Sequence, residues 1–189
     1  PGGGWPNTFL DVARATDHLR TLARQYPLDL ARVVTIGHSA GGHLAVWLAA
    51  ADKVPAASEI ARRDPLPLKG AIALAGIVDL ADFRTYSRTS CGDVVDPLMG
   101  GTPEQFPERY AAGSPARLFP LGVPHAQVVG SEDRIMPSRA REAHAAAANA
   151  SGSAFELVVI PDASHHEVMS PRSAAWPAIL SVVRRMLAP

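Results

Sequence analysis

Cysteine is almost missing from this sequence: Cys91 is the only one among 189 residues. An intramolecular disulfide is therefore impossible, as is a metal site built on cysteines, and the lone thiol is expected to be buried and inert. Excess charge is missing too. Lysine and arginine total 18, aspartate and glutamate total 18, and the formal net charge is zero. With no basic stripe to hold a phosphate backbone or an anionic bilayer, neither nucleic acid nor membrane is an expected partner. No apolar run approaches the roughly 18 residues a membrane span needs. No His, Asp and Glu spacing suits a metal ion, so no metal and no cofactor are expected. An initiator methionine is also missing, and the opening Pro1-Gly2-Gly3-Gly4-Trp5-Pro6 reads as cut from something longer. A missing leader is then silent about secretion.

What is present is a core-forming composition, 47% hydrophobic, in a length that suits one domain over residues 1–189. The most informative stretch is Arg32-Val33-Val34-Thr35-Ile36-Gly37-His38-Ser39-Ala40-Gly41-Gly42-His43-Leu44-Ala45. A β-branched run meets a glycine, a serine comes next, and a helical apolar pattern begins. This reads as strand, abrupt turn, helix, with a G-x-S-x-G nucleophile elbow at 37–41. The turn forces strand and helix backbones together, so its neighbours must lack bulk. It also sets Ser39 at a helix N-terminus, where the dipole favours a developing oxyanion.

Strands are expected near 33–36, 70–76, 126–129 and 155–160, alternating with helices. That order argues for an α/β parallel sheet with helices on both faces. Apolar spacing predicts a first helix from Phe9 to about Gln25, capped by Thr8 and ended by Pro27. Thr102-Pro103-Glu104-Gln105 has the signature of another helix start. Ser170-Pro171 is expected to open a last helix reaching Leu187. The polar, proline-rich residues at about 79–121 are too many for a plain connection and suggest a lid over a site. Phe83, Tyr86, Leu98 and Phe106 are the expected substrate-binding side chains from it.

Ligands of open parallel sheets bind at the carboxyl ends of the strands. Ser39, Asp133 and His165 all fall at such ends, in the order nucleophile, acid, histidine. Ser39 is the expected nucleophile, His165 its base and Asp133 the group that orients the base. The Ala40 N–H is an expected oxyanion donor. Glu132 adjoins Asp133 and His166 adjoins His165, so each is a rival. His43 is expected to pack near the elbow and His38 to be buried at the strand end, whereas His18, His125 and His144 read as ordinary surface or loop residues.

Gly37-His38-Ser39-Ala40-Gly41-Gly42-His43 resembles the elbow of the α/β-hydrolase branch that contains acetyl and feruloyl esterases and kynurenine formamidase (arylformamidase). The likeness extends to Gly3-Gly4-Trp5-Pro6, to Gly101-Thr102-Pro103-Glu104 and Ser114-Pro115 in the lid region, to Gly130-Ser131-Glu132-Asp133 with Pro137, and to Ala163-Ser164-His165-His166. At His166 that branch usually carries an aromatic. The resemblance implies an α/β-hydrolase fold, N-terminally incomplete, because family members carry earlier strands and a His-Gly-Gly oxyanion motif that does not occur in this sequence. It implies a serine hydrolase cleaving small carboxylic esters through an acyl-enzyme. An arylformamidase acting on a formamide is the alternative, and an inactive fragment or binding module a second one. The expected partner is a small ester or amide substrate. With the preceding strand absent, self-association through the open edge of the elbow strand is expected as well.

Overall fold

Four short strands gather into one parallel sheet in the computed structural model of the chain, which describes residues 2–188. They are β1 (Val34–His38), β2 (Gly70–Leu74), β3 (His125–Gly130) and β4 (Phe155–Ile160), in the spatial order β1-β2-β3-β4. The register runs Val34 to Gly70, Ala71 to His125 and His125 to Phe155. Every residue of β2 and β3 is buried, so both faces of the sheet are covered and the two sequences need no polar alternation.

The helices are α1 (Asn7–Leu22), α2 (Ala40–Ala49), α3 (Leu80–Ser87), α4 (Val95–Met99), α5 (Pro107–Gly113), α6 (Ser138–Ser151) and α7 (Trp176–Leu187). The long insertion between β2 and β3 thus holds three short helices. Its two ends are tied together by Ala116 N–H to the Val78 carbonyl at 2.9 Å and Leu80 N–H to Ser114 Oγ at 3.1 Å. It is also tied to the elbow helix: His43 bonds the Gly113 carbonyl at 2.7 Å and Trp47 Nε1–H donates to the Ala112 carbonyl at 3.0 Å. Phe9 of α1 packs edge-on against Trp47 at 4.9 Å, joining the first helix to the same core.

Several expectations change. The first helix begins at Asn7 and ends at Leu22, and Thr8 is not its cap; its hydroxyl accepts the Gly4 N–H instead. At Thr102 the Gln105 side chain does reach back to the Thr102 N–H at 2.9 Å, but the turn stops and the helix starts at Pro107. The last helix starts at Trp176 rather than Ser170. Cys91 is exposed, in the insertion between α3 and α4.

The largest correction concerns two histidines read as surface residues. His125 and His144 are buried, at 1% and 2% exposure, and stack between Phe119 and Phe155. Gln127 fixes their tautomers. Its Nε2–H donates to the Gly76 carbonyl at 3.0 Å, which turns Oε1 toward His144 Nδ1 at 2.8 Å. His144 therefore carries its proton on Nδ1, and His125 donates from Nε2 to His144 Nε2 at 3.2 Å. Burial lowers His43 and His125 to about 4 and His144 to about 3.

On its outer side β1 meets no other strand among the described residues. Ile36 is 48% exposed there, beside a groove of about 450 Å³ lined by Pro27, Leu28, Val34, Val183 and Leu187.

The open edge predicts concentration-dependent self-association that Ile36→Lys weakens; light scattering of both proteins measures it, and a monodisperse parent chain would overturn it. The buried imidazoles predict a pH dependence. All three stay neutral in the fold but take a proton near pH 6.5 when unfolded. The unfolded state therefore binds more protons as pH falls from about 6.5 to about 4, and stability drops over that window. Thermal unfolding should show this loss, and the double variant His125→Phe with His144→Leu should cut the pH dependence by about two thirds.

Candidate active site

The chain leaves β1 and enters α2 within one residue. Ser39 makes that turn at φ 53° and ψ −117°, a strained conformation for a residue with a Cβ. Its N–H is held by the Leu74 carbonyl of β2 at 2.8 Å, and its own carbonyl receives the His43 N–H at 3.0 Å. Ala40, exposed, is the first residue of α2, where the N–H has no intrahelical acceptor.

The glycines of the motif do different jobs. A Cβ on Gly37 would collide with the backbone of Gly41, and one on Gly42 would sit 2.8 Å from the Gly76 Cα and 2.9 Å from the Gly37 carbonyl oxygen. A Cβ on Gly41 would meet open space. The steric demand read from the sequence is therefore borne by Gly37 and Gly42, with Gly41 as the surface that Gly37 must fit.

Asp133 and His165 come from the loops after β3 and β4. These loops are pressed together: Ser131 N–H donates to the Ile160 carbonyl at 2.9 Å and Glu132 N–H to the Ala163 carbonyl at 3.0 Å. Any side chain on Gly130 would collide with that Ala163 carbonyl. The result is a bond of 2.8 Å between His165 Nδ1 and Asp133 Oδ2, with side-chain exposures of 5% and 0%. The other carboxylate oxygen accepts the N–H groups of Ile135 at 2.9 Å and Met136 at 2.7 Å. With Nδ1–H donated to Asp133, the neutral His165 ring keeps a lone pair on Nε2. The two rivals, Glu132 and His166, are exposed, and neither side chain hydrogen-bonds to this pair. Ser39 Oγ makes no hydrogen bond among the described residues, so the structure joins acid to histidine and leaves the serine unpaired.

Two further residues shape the histidine loop and carry no motif of their own. Glu167 accepts the Ser164 N–H at 2.6 Å, which holds its carboxyl below the usual range. His38 bonds the His165 carbonyl and packs on its ring.

An open cleft of about 490 Å³ beside His165 is lined by Glu132, Arg134, Ile135, Ser164 and His166. The four lid side chains do not share a location. Tyr86 lines a cavity of about 280 Å³ with Val78, Met136 and Ala140, its ring beneath Arg139 at 4.7 Å. Phe83 is 2% exposed and packs into the core edge-on to Tyr86. Leu98 sits against the core, where its carbonyl receives the Trp5 N–H. Phe106 lies under the Arg109 guanidinium at 4.0 Å. Among the described residues no group of three or more His, Cys, Asp or Glu could hold a metal ion.

A family model described as BD-FAE matches residues 3–146 of the chain, a span that includes Ser39 and Asp133 and stops short of His165. No curated protein sequence matches significantly. Among solved structures, a truncated form of a carbohydrate esterase from gut microbiota superposes with a TM-score of 0.78 at 16% identity, over 97% of this chain and 70% of that one. An acetyl ester-xyloside bifunctional hydrolase from Caldicellulosiruptor lactoaceticus gives 0.74 at 22% identity, over 96% and 66%. A thermophilic esterase from Thermogutta terrifontis, with butyrate bound, gives 0.70 at 22% identity, over 96% and 64%. At such identities the likeness is one of fold, the α/β-hydrolase fold, and this chain spans about two thirds of the length of these three structures.

The elbow contacts predict opposite outcomes for two glycines. Gly37→Ala should destabilise the chain by about 3 kcal/mol, because the clash is with backbone. Gly41→Ala should stay within about 1 kcal/mol of the parent. Urea unfolding of the two variants measures the difference, and equal effects would overturn the packing account.

Proposed function

The chain belongs to the BD-FAE family, and from that premise we propose that it is a serine hydrolase cleaving small carboxylic esters through an acyl-enzyme. The observation that carries the proposal is the buried Asp133–His165 bond, standing at the same carboxyl end of the sheet as the strained Ser39. Ser39 Oγ attacks the ester carbonyl, and His165 Nε2 takes its proton. The same proton then goes to the leaving alkoxide. Asp133 keeps the ring in the required tautomer and stabilises the imidazolium. The Ala40 N–H, at the start of α2, donates to the oxyanion. The missing Ser39 hydrogen bond is compatible with this scheme, since such contacts are often long without substrate and tighten with it. The solved carbohydrate and acetyl esterases of the same fold favour an ester over an amide substrate.

The test uses a fluorophosphonate probe and p-nitrophenyl acetate. The probe should label the parent chain and not Ser39→Ala. Asp133→Asn should lower kcat by about 10⁴-fold, because its amide favours the wrong histidine tautomer. Labelling that survives in Ser39→Ala, or full turnover by Asp133→Asn, would end this reading. Faster cleavage of N-formylkynurenine than of the acetyl ester would shift it to arylformamidase.

A further inference from the structure

The elbow and the histidine loop leave the sheet at opposite sides. Ser39 comes after β1, His165 after β4, and the order is β1-β2-β3-β4. Three strand spacings of about 4.8 Å separate those strands, roughly 14 Å in all. A base and a nucleophile must nevertheless approach to about 3 Å. The histidine loop therefore has to lean back across the ends of β3 and β2, and something has to hold it there. The Asp133 bond cannot do so alone, because Asp133 sits on the β3 side of the gap.

We infer that His38 is a positioning residue for His165, clamping the histidine loop onto the elbow through its Nε2–H. That nitrogen lies 2.8 Å from the His165 carbonyl, across 127 residues of sequence. It is the only hydrogen bond between residues 34–43 and the histidine loop among the described residues. The two imidazoles also pack with their centroids 4.6 Å apart. A carbonyl only accepts, so the shared proton sits on His38 Nε2 and a neutral His38 keeps its lone pair on Nδ1. Burial lowers the pKa of His38; the hydrogen bond to the His165 carbonyl raises it in part, and the net shift stays downward, so the clamp adds no positive charge beside the base. As the last residue of β1, paired in register with Leu74, His38 is anchored on a strand. It immediately precedes Ser39, so one rigid element sets the positions of the serine and of the loop that carries its base.

This inference rests on the proposed hydrolase reading, and its test separates the two. The variants are His38→Leu, which removes the donor, and His38→Gln, whose amide nitrogen can occupy the Nε2 position. Two readouts are taken on the full chain: kcat and KM for p-nitrophenyl acetate, and the far-downfield proton resonance of the His165 Nδ1–H bonded to Asp133. His38→Leu should lower kcat about tenfold to hundredfold with KM within about twofold, and should broaden or shift the resonance. His38→Gln should restore both to near the parent. Should His38→Leu fail to fold, His38→Asn replaces it, since its shorter amide falls short of the carbonyl. If the parent turns over no ester yet shows the resonance, the hydrolase reading fails while the resonance of the variants still decides the clamp. Parent-like kcat and resonance in the donor-deleted variant would overturn the inference, as would a His38→Gln as impaired as His38→Leu.

Discussion

Backbone packs directly on backbone where β1 turns into α2, and the rest of the structure is arranged around that contact. Gly37 lies against Gly41, and Gly42 against Gly76. No side chain fits between them, so strand and helix are locked at one distance and Ser39 is forced into its strained conformation at φ 53°. Strain of this kind persists only when its surroundings over-determine it. Here the Leu74 carbonyl holds the Ser39 N–H from the neighbouring strand, while Thr35 and the Ala45 carbonyl brace β1 against α2 at 2.8 Å.

Buried polar groups extend that rigidity outward. Gly76 is fixed from below by Gln127, which is oriented in turn by His144 and His125. On the other side, His43 and Trp47 of the elbow helix bond the end of α5. Within the insertion, the half-buried Arg84 holds the half-buried Asp96 at 2.6 and 2.9 Å, and Tyr110 Oη lies 3.0 Å from the same carboxylate. The buried donors and acceptors in this series are costly to leave unpaired, so the insertion, the elbow and α6 are bound to one another more specifically than apolar contact alone would achieve. The apolar core supplies the bulk of the burial; the polar contacts select the relative placement.

The site inherits this arrangement. Strand ends place Ser39, Asp133 and His165 at the same carboxyl end of the sheet but on different strands, and loops narrow the gaps between them. The acid and histidine loops meet because Gly130 lets one pass against the other. The histidine loop meets the elbow through His38. An esterase reading therefore depends less on the three reactive residues than on the small and polar residues that bring their strands' loops together.

Apolar runs and turn residues were enough to read the sheet from the sequence, since β2 is a continuous hydrophobic segment and each strand is local. The same holds for the elbow, whose chemistry lies within a few consecutive residues, and for the order of Ser39, Asp133 and His165. Helix ends were less legible: Thr102 forms its capping contact, yet the helix waits for Pro107, because packing decides whether a first turn continues. The burial of His125 and His144, the dispersal of Phe83, Tyr86, Leu98 and Phe106, and the roles of Gln127 and His38 could not be read at all. The hydrogen bonds of His125, His144, Gln127 and His38 join residues between 17 and 127 positions apart, and sequence spacing carries no record of such distances. Local propensity and patterning determined the elements and their order; only three-dimensional packing decided which polar groups would be buried, and therefore which had to find each other.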